Sequence, residues 1–459
     1  MKFKANTDLF RLVDAVHKKE QRNGNTLDTE RRKALEKERR GYVRKGMGLL
    51  LADMDGAGHT VRDIAQRLKS IELEFARNLD EKEHSIWLAR DKLAGIPDDA
   101  LSGLEAGTGE LVGKLKLDLT DKCENVPLFN EAIQLRYQAA QLLGYANHTA
   151  YKVDTMMAKT PGAVMDLLEG IRDRVLRQLP EDFQRLLELK WGDPAAQGQP
   201  NDDVILWSDL PYYSRMFEKQ NYSVDHGLIA DKPAEGRPSL LQHSDVVLLF
   251  HELGHGMHDL SGRCRYSRFH GAETAGDFNE APSQMLENWC WDATALKRLS
   301  GHYRTGDTLP DSVVASLLRT RVVLPAVKLL PQLRMTLFDA AVHSTAPSKG
   351  GSIDVAKMYA EYNELGGMKS TDDEYGYASY RHLFAGNDAT MYSYLWSKVL
   401  AMDMFDTAFK QDPLDDKVGR HYRHLVLEKG GSQDEMETLV QFLGRKPTSE
   451  AFYKSLGLD

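Results

Sequence analysis

The stretch that decides the fold is V-V-L-L-F-H-E-L-G-H-G-M-H, residues 246–258. In it, an apolar run leads into the pattern H-E-x-x-H. Positions i and i+4 share one face of a helix, so His251 and His255 can point two imidazole rings at one metal ion. Glu252 lies beside that ion, where its carboxylate can take a proton from water. The pattern predicts a zinc site of the hydrolase type; the alternative is a chance match on an ordinary amphipathic helix.

Two residues are candidates for the third protein ligand that such a zinc site needs. His258 follows His251 by seven residues, a rise of roughly 10 Å, and three histidines along one straight helix converge poorly. Glu280 lies just before Pro282, which marks the start of a second predicted helix; alternatively it is an acid favoured there by the helix dipole. Glu287 lies two turns further on, where it can accept a hydrogen bond from a ligand histidine.

Length and charge set limits on the class of protein. The chain has 459 residues, a net charge of −9 and an isoelectric point near 6.0. This length indicates several domains or one large helical body, and the charge gives no global attraction to nucleic acid or anionic membranes. Residues 1–19 lack the apolar core of a signal peptide, and three scattered cysteines indicate reduced thiols. We therefore expect a cytoplasmic protein with no nucleic-acid or membrane partner.

Helical periodicity dominates the chain. One apolar stripe repeats every three or four residues at Val61, Ile64, Leu68, Ile71, Phe75 and Leu79. Further helices are predicted over 127–143, 161–189 and 210–222, and through most of the C-terminal half. Residues 225–239 are polar and rich in turn formers, and the clearest strand signal is the alternation over 113–119. The sequence therefore predicts a mostly α fold with little β structure.

A second chemical candidate is R-H-L-F-A-G-N-D-A-T-M-Y-S-Y-L-W, residues 381–396. It reads as a loop of small residues followed by an aromatic-rich helix. Tyrosine hydroxyls near a metal can donate hydrogen bonds to a developing oxyanion. Alternatively, these tyrosines are amphipathic core residues whose hydroxyls reach the surface. The residues alone leave both interpretations open.

The chain resembles the thimet oligopeptidase, neurolysin and saccharolysin family of zinc metallopeptidases. The resemblance is carried by F-H-E-L-G-H-G-M-H at 250–258, F-N-E-A-P-S-Q at 278–284, Y-L-W at 394–396 and M-D-M-F at 402–405. Weaker similarity begins near Leu27 and includes residues 142–148 and 157–160. The resemblance implies that His251, His255 and Glu280 hold one zinc ion per chain. It thereby favours Glu280 over His258 as the third ligand.

The resemblance also assigns catalytic roles. It implies that Glu252 is the general base, that Tyr394 donates to the oxyanion, and that His382 assists at the substrate. The family usually reads G-Y-x-A-x-Y-Y-x-Y where this chain has G-N-D-A-T-M-Y-S-Y, so Asn387 and Met391 replace two tyrosines. The Met391 position carries one of the two hydroxyls that the family offers to the oxyanion. We expect Met391→Tyr to raise turnover.

Members of this family are large, mostly helical and two-lobed, with a deep substrate channel. The resemblance therefore predicts an N-terminal helical lobe over residues 1–160, truncated relative to the family, and a helical zinc-peptidase catalytic region over residues 161–459. Residues 225–239 run almost directly into the helix that bears H-E-x-x-H, where relatives carry a long insert of strands. The floor of the expected channel is therefore shortened.

These observations predict a monomeric zinc-dependent endopeptidase that hydrolyses short, unfolded peptides. Its setting is either general peptide turnover or the processing of a precursor peptide in a ribosomal-peptide biosynthetic pathway. The alternative is a zinc-bearing, peptide-binding pseudo-enzyme, which Met391 and the shortened floor favour and the intact Glu252 opposes. A purely structural zinc protein would usually close its metal with a fourth protein ligand, and nothing in the sequence requires one.

Overall fold

The structure is a computed structural model that describes residues 7–24, 26–51, 56–80, 84–93, 101, 103–119, 123–194, 196, 198, 203–222, 241–302, 304–347, 353–369 and 375–458. Helices account for most of these residues. The α-helices are α1 (Thr7–Arg22), α2 (Thr29–Val43), α3 (Met47–Leu51), α4 (Ala57–Asp80), α5 (Asn125–Leu142), α6 (His148–Val153), α7 (Pro161–Gly192), α8 (Asp209–Tyr222), α9 (His243–Ser261), α10 (Ala281–Glu287), α11 (Ala293–Leu299), α12 (Asp311–Thr320), α13 (Pro325–Ser344), α14 (Val355–Asn363), α15 (Tyr392–Ala408), α16 (Asp416–Leu425), α17 (Glu435–Leu443) and α18 (Glu450–Leu456).

Two short strands complete the regular structure of the described residues. Strand β1 (His84–Ala89) pairs antiparallel with β2 (Lys114–Leu119), so that His84 faces Leu119 and Ala89 faces Lys114. The alternation over 113–119 therefore predicted β2 correctly. Its partner β1 was not predicted, because the stretch H-S-I-W-L-A has no regular alternation of polar and apolar residues.

The long helix α7 shows how local sequence sets the elements. The Thr160 hydroxyl accepts a hydrogen bond from the Ala163 N–H, and Pro161 occupies the first turn, so the helix begins where cap and proline both favour it. Its buried stripe recurs every three or four residues and includes Leu168, Ile171 and Val175. Burial of this stripe, rather than helix propensity alone, stabilises the element.

Five hydrophobic clusters form among the described residues, and the three largest join most of the helices. The largest joins α7, α13 and α15, and a second joins α4 and α5 to α13 and α14. The third contains Phe278, Ala281 and Met285 from the start of α10, together with Leu400 and Met404 from α15. This third cluster brings Glu280, at the N-terminus of α10, towards the first turns of α15.

The prediction of a mostly α fold with little β structure is confirmed. No helix among the described residues is long and apolar enough to cross a membrane. The turn-rich stretch 225–239 lies outside the described residues. The division into lobes 1–160 and 161–459, and the deep channel between them, remain predictions.

Candidate metal centre

The centre of the site is the close approach of α9 to α10 at Gly254. A Cβ atom built on Gly254 would lie 2.5 Å from the Ser283 Cα and 2.8 Å from the Pro282 carbonyl oxygen. No side chain fits in that space, so the two helix backbones can touch because residue 254 is glycine. The contact sets the separation of the histidines on α9 from the glutamates at either end of α10.

Three side chains meet above this contact. The Glu280 Oε2 atom lies 3.3 Å from the Nε2 atom of His251 and 3.2 Å from the Nε2 atom of His255. One ligand atom from each of the three residues lies within 4.8 Å of the others. The Ser283 hydroxyl donates a hydrogen bond to Glu280 Oε2 at 3.0 Å and fixes that carboxylate from its own helix. The structure therefore brings together the two histidines and the glutamate that the sequence singled out.

Glu287 orients the first histidine. Its Oε1 atom lies 2.7 Å from the His251 Nδ1 atom, so Nδ1 can donate its proton to Glu287 while Nε2 faces Glu280 in the cluster. Two half-buried cations, Arg321 and Lys398, lie close enough for the charge of Glu287 to raise their pKa, although desolvation dominates and lowers the pKa of both. The sequence analysis predicted the role of Glu287 but missed these two cations.

The electrostatics of the cluster favour a bound cation. Hydrogen bonds to Glu280 and then to Glu287 raise the pKa of His251 to about 10. Burial acts to raise the pKa of Glu280, but hydrogen bonds from His251 and His255 outweigh it and hold that pKa below its ordinary value. The two carboxylates therefore create a negative field at the histidine nitrogens, which a metal cation would relieve.

His258 lies elsewhere. Its side chain is fully buried, and neither ring nitrogen hydrogen-bonds to any described residue. Burial lowers the pKa of His258 to about 4, so the ring is neutral at pH 7. His258 is not part of the cluster of possible metal ligands found in the described chain. The geometric argument that three histidines along one helix converge poorly agrees with this arrangement.

The outer side of α9 faces solvent. Glu252 is exposed, one position beyond His251. Leu249 and Leu253 are each 47% exposed and Leu260 is 85% exposed. Within the described part of the chain, α9 is therefore covered on the side of α10 and open on the side that carries Glu252.

Tyr394 lies close to the glutamate of the cluster. It is half-buried in the first turn of α15, and its backbone carbonyl accepts a hydrogen bond from the Gln284 side chain of α10 at 3.2 Å. Burial and then the negative charge of Glu280 raise the pKa of Tyr394, so its hydroxyl stays protonated at neutral pH and can donate. His382 is exposed, and no hydrogen bond or ion pair between described residues links its side chain to the cluster.

The two positions that depart from the family pattern differ in environment. Asn387 is half-buried in the loop before α15. Met391 is 8% exposed and belongs to the second hydrophobic cluster, together with Phe338 and Phe384. A tyrosine with this orientation at position 391 would place its hydroxyl in apolar surroundings and away from the metal-ligand candidates.

Asp277 is a supporting residue that the sequence analysis missed. Its buried carboxylate accepts hydrogen bonds from the Met157 N–H at 2.7 Å, the Ala158 N–H at 3.0 Å and the Tyr392 hydroxyl at 3.0 Å. Asp277 lies three residues before Glu280, so these bonds tie the glutamate to the segment before α7 and to α15. The role of Asp277 could not be predicted from the sequence, because residue spacing does not indicate which carboxylate accepts hydrogen bonds from backbone N–H groups.

The residues present fit zinc. Tetrahedral zinc with bonds of 2.0–2.2 Å places neighbouring ligand atoms about 3.4 Å apart. The two distances from the Glu280 carboxylate to the histidine nitrogens, 3.2 and 3.3 Å, agree with this value. Two imidazoles and one carboxylate, with a second carboxylate behind one imidazole, are also a donor set typical of catalytic zinc.

The family follows from the whole sequence as well as from the site. The profile of peptidase family M3 matches residues 116–231 and 228–458. These matches cover most of the chain, and the chain belongs to peptidase family M3. The resemblance to the thimet oligopeptidase and saccharolysin family is therefore confirmed.

Curated relatives match nearly the full chain. Saccharolysin of Saccharomyces cerevisiae is 27% identical, and the alignment covers 98% of this chain and 82% of saccharolysin. A thimet-like oligopeptidase of Dictyostelium discoideum is 24% identical, and the alignment covers 98% of this chain and 85% of the relative. Oligopeptidase A of Escherichia coli is 25% identical, and the alignment covers 94% of this chain and 82% of the relative. The saccharolysin alignment spans 589 positions against 459 residues here, so it opens gaps in this chain. The names of these relatives support a peptidase that acts on peptides.

Solved structures show the same fold at low sequence identity. Trypanosoma cruzi metallocarboxypeptidase 1 matches with a TM-score of 0.55 and 12% identity, covering 96% of this chain and 87% of its own. The M32 carboxypeptidase from Deinococcus radiodurans R1 matches with a TM-score of 0.53 and 13% identity, with coverages of 99% and 87%. The helical arrangement is therefore shared with known metallopeptidases.

Proposed function

We propose that this member of family M3 is a zinc-dependent endopeptidase that hydrolyses short, unfolded peptides. The observation that supports this proposal is the convergence of His251, His255 and Glu280 on one point. Each offers one ligand atom and together they leave a further coordination position for water or substrate, as catalytic zinc sites do. We assign one zinc ion to each chain, held by these three residues.

When bound, zinc supplies Lewis acidity that activates water and polarises the carbonyl group of a peptide. The protein supplies the placement of the ligands. Glu287 holds the proton of His251 on Nδ1 and so keeps Nε2 available. Ser283 and the helix contact at Gly254 keep the Glu280 carboxylate in reach of both histidines.

Glu252 is the proposed general base. It follows a metal-ligand candidate directly on α9 and faces solvent, where a water molecule and a peptide can reach it. Its carboxylate would accept a proton from the attacking water and then donate it to the amine that leaves. Glutamine at this position keeps the shape of the side chain but cannot take the proton.

Tyr394 is the proposed donor to the oxyanion. Burial and the negative charge of Glu280 raise the pKa of Tyr394, so its hydroxyl is protonated at neutral pH and able to donate, which supports this role. One such donor contributes about 100-fold or more to turnover in other acyl-transfer sites. His382 is assigned a contact with the substrate, which would require the peptide to bridge from the metal centre to the exposed turn before α15.

The substrate class follows from the relatives. Two of the relatives, the thimet-like oligopeptidase and oligopeptidase A, carry in their names an action on oligopeptides. We propose a monomeric, cytoplasmic enzyme, acting either in general peptide turnover or on the precursor peptide of a ribosomal-peptide pathway. Neither nucleic acid nor membrane is part of this proposal.

Hydrolysis of quenched fluorogenic peptides of varied sequence tests the proposal. Zinc-loaded protein should cleave at least one short peptide, a chelator should stop cleavage, and added zinc should restore it. Cleavage sites identified by mass spectrometry should lie within the peptide rather than one residue from its end. Zinc-loaded, folded protein that cleaves no member of the library refutes the enzyme proposal.

The second candidate is a zinc-bearing, peptide-binding pseudo-enzyme. The burial of Met391 favours it, because the residue in place of a family tyrosine offers no hydroxyl and points into an apolar cluster. Under this alternative the zinc-loaded protein binds short peptides, measured by fluorescence anisotropy, but leaves them intact. Zinc-loaded protein that binds peptides but does not hydrolyse them would therefore distinguish the pseudo-enzyme from the enzyme.

A further inference from the structure

A buried carboxylate holds the loop that leads into α15. Both oxygens of Asp339, on α13, accept backbone N–H groups of this loop, from Ala389 at 2.8 Å and from Met391 at 3.1 Å. Asp339 is 1% exposed. Ala389 has φ of +55°, a left-handed conformation that costs a non-glycine residue about 1–2 kcal/mol. The loop therefore keeps its shape because Asp339 binds it.

A second carboxylate, that of Asp388 in the loop itself, anchors the loop to α6. Asp388 is 8% exposed, and its Oδ2 atom lies 2.5 Å from the His148 Nε2 atom. Its Oδ1 atom lies 3.1 Å from the Lys152 Nζ atom, which also donates to the Gly386 carbonyl at 3.0 Å. Burial lowers the pKa of His148 to about 3, so the neutral ring donates its Nε2–H to Asp388. These partners lie on α6, far from α15 in sequence.

One arginine connects the two carboxylates. Arg136 of α5 lies 3.6 Å from Asp388 and donates to the Leu383 carbonyl at 2.5 Å. It also donates to the His343 Nε2 atom at 3.0 Å, and the Nδ1 atom of that histidine lies 2.9 Å from Asp339 Oδ1. The side chains of Arg136 and His343 are almost fully buried. The His343 Nδ1 atom also lies 3.0 Å from the Asp339 backbone carbonyl oxygen, to which it can donate a hydrogen bond. A buried network of hydrogen bonds and ion-pair contacts of this kind fixes geometry more strongly than separate pairs would.

We propose that this loop clamp, formed by Arg136, His148, Asp339, His343 and Asp388, positions Tyr394 against the metal centre. The Met391 amide that Asp339 holds lies three residues before Tyr394, less than one helical turn. A shift of the loop would therefore move the tyrosine hydroxyl, and a displacement of about 1 Å can cost about 100-fold in rate. The inference rests on the proposed role of Tyr394 in the enzyme.

Asp339→Asn tests the clamp. Asparagine keeps the size of the side chain but offers one acceptor oxygen, so one of the two loop amides loses its partner. We expect kcat to fall about 10- to 100-fold, with KM changed by less than about threefold and zinc content unchanged. Assays at a temperature well below the unfolding transitions of both proteins keep loss of fold out of the comparison.

Asp182→Asn is the matched control. Asp182 of α7 is fully buried and also accepts two backbone N–H groups, from Ala326 at 2.9 Å and from Val327 at 3.3 Å. Those amides begin α13 and do not belong to the loop before Tyr394. Both amides bond the Oδ2 atom of Asp182, and the Gln178 side chain donates to its Oδ1 atom, so asparagine again removes one of two occupied acceptor oxygens. Asp182→Asn should therefore lower stability but leave kcat within about twofold of wild type. An equal fall in kcat for both variants overturns the inference.

A double-mutant cycle separates positioning from general structure. Tyr394→Phe removes the hydroxyl that the clamp is proposed to place. In that background Asp339→Asn should lower kcat by less than about twofold, because the hydroxyl on which it acts is already absent. Losses that multiply in the double variant overturn the inference.

Hydrogen exchange tests the clamp independently of turnover. Amides over residues 386–391 should exchange at least about tenfold faster in Asp339→Asn than in wild type, with no such change in Asp182→Asn. Unchanged exchange overturns the clamp even if the enzyme is active. If wild type shows no turnover, the proposed function is refuted. If the loop amides nevertheless exchange faster in Asp339→Asn than in wild type, the proposal that Asp339 holds the loop still stands.

Discussion

Gly254→Ala perturbs the metal centre without touching a ligand. The new Cβ atom would lie 2.5 Å from Ser283 Cα and 2.8 Å from the Pro282 carbonyl oxygen. Carbon atoms in contact are ordinarily about 3.5–4.0 Å apart, so α9 and α10 must separate by about 1 Å at this point. Neither neighbour can yield by rotating a side chain, because both contacting atoms belong to the backbone.

That displacement exceeds what the metal centre tolerates. Zinc sites keep their bond lengths within about 0.2 Å, and the Glu280 carboxylate moves with α10 while both histidines move with α9. We expect zinc affinity to fall about 10- to 100-fold, the range found when the support of a ligand is lost. Overpacking should cost about 1–3 kcal/mol of unfolding free energy, offset by about 0.5–1 kcal/mol because alanine favours the helix.

Gly256→Ala is the control on the same helix. A Cβ atom at Gly256 meets nothing within 4 Å, so this change should leave zinc affinity as it is and stabilise the protein by up to about 1 kcal/mol. Competition with a chromophoric chelator measures zinc affinity, and thermal unfolding of the apo-proteins measures stability. Zinc affinity of Gly254→Ala within twofold of that of Gly256→Ala would refute the argument from helix contact.

Four further substitutions test separate parts of the site. Glu280→Ala should abolish tight zinc binding, whereas His258→Ala should keep it while costing about 2–4 kcal/mol of stability through the cavity it leaves; elemental analysis and thermal unfolding check the pair, and the reverse order contradicts the ligand assignment. Glu252→Gln should remove peptide hydrolysis with zinc content intact, and residual turnover above a few per cent of wild type speaks against its role as base. Met391→Tyr, expected from the family pattern to raise kcat, should instead cost about 1–3 kcal/mol and leave kcat unchanged, because position 391 is buried; a higher kcat at unchanged stability would support the original expectation.

The positions of His251 and His255 were predictable because they depend on helix periodicity, whereas the choice of Glu280 over His258 as the third ligand came from the family resemblance. Each of the signals used depends on the geometry of a single helix: the spacing of His251 and His255, the proline after Glu280 and the two turns from Glu280 to Glu287. The sequence also placed most helices, since their apolar stripes repeat at the helical period.

The supports of the site were not predictable in the same way. Asp277, Asp339 and Arg136 act on backbone groups that are between 50 and 247 residues away in the chain, and a backbone amide has no identity in the sequence. Met391 is a different case, in which the family pattern and the observed packing lead to different expectations. Comparison with the family pattern assigned its position to the site, but the packing of α13 and the loop directs the side chain into the hydrophobic cluster.

The different chain separations of these contacts have a consequence for the order of folding. His251 and Glu287 are 36 residues apart, whereas the contact of Asp277 with Met157 spans 120 residues and that of Arg136 with Leu383 spans 247. Contacts between near neighbours form sooner because less chain entropy is lost in closing them. During synthesis, α9 and α10 leave the ribosome before α15 exists. The three proposed metal ligands are therefore synthesised before Tyr394, the proposed oxyanion donor, has been added to the chain.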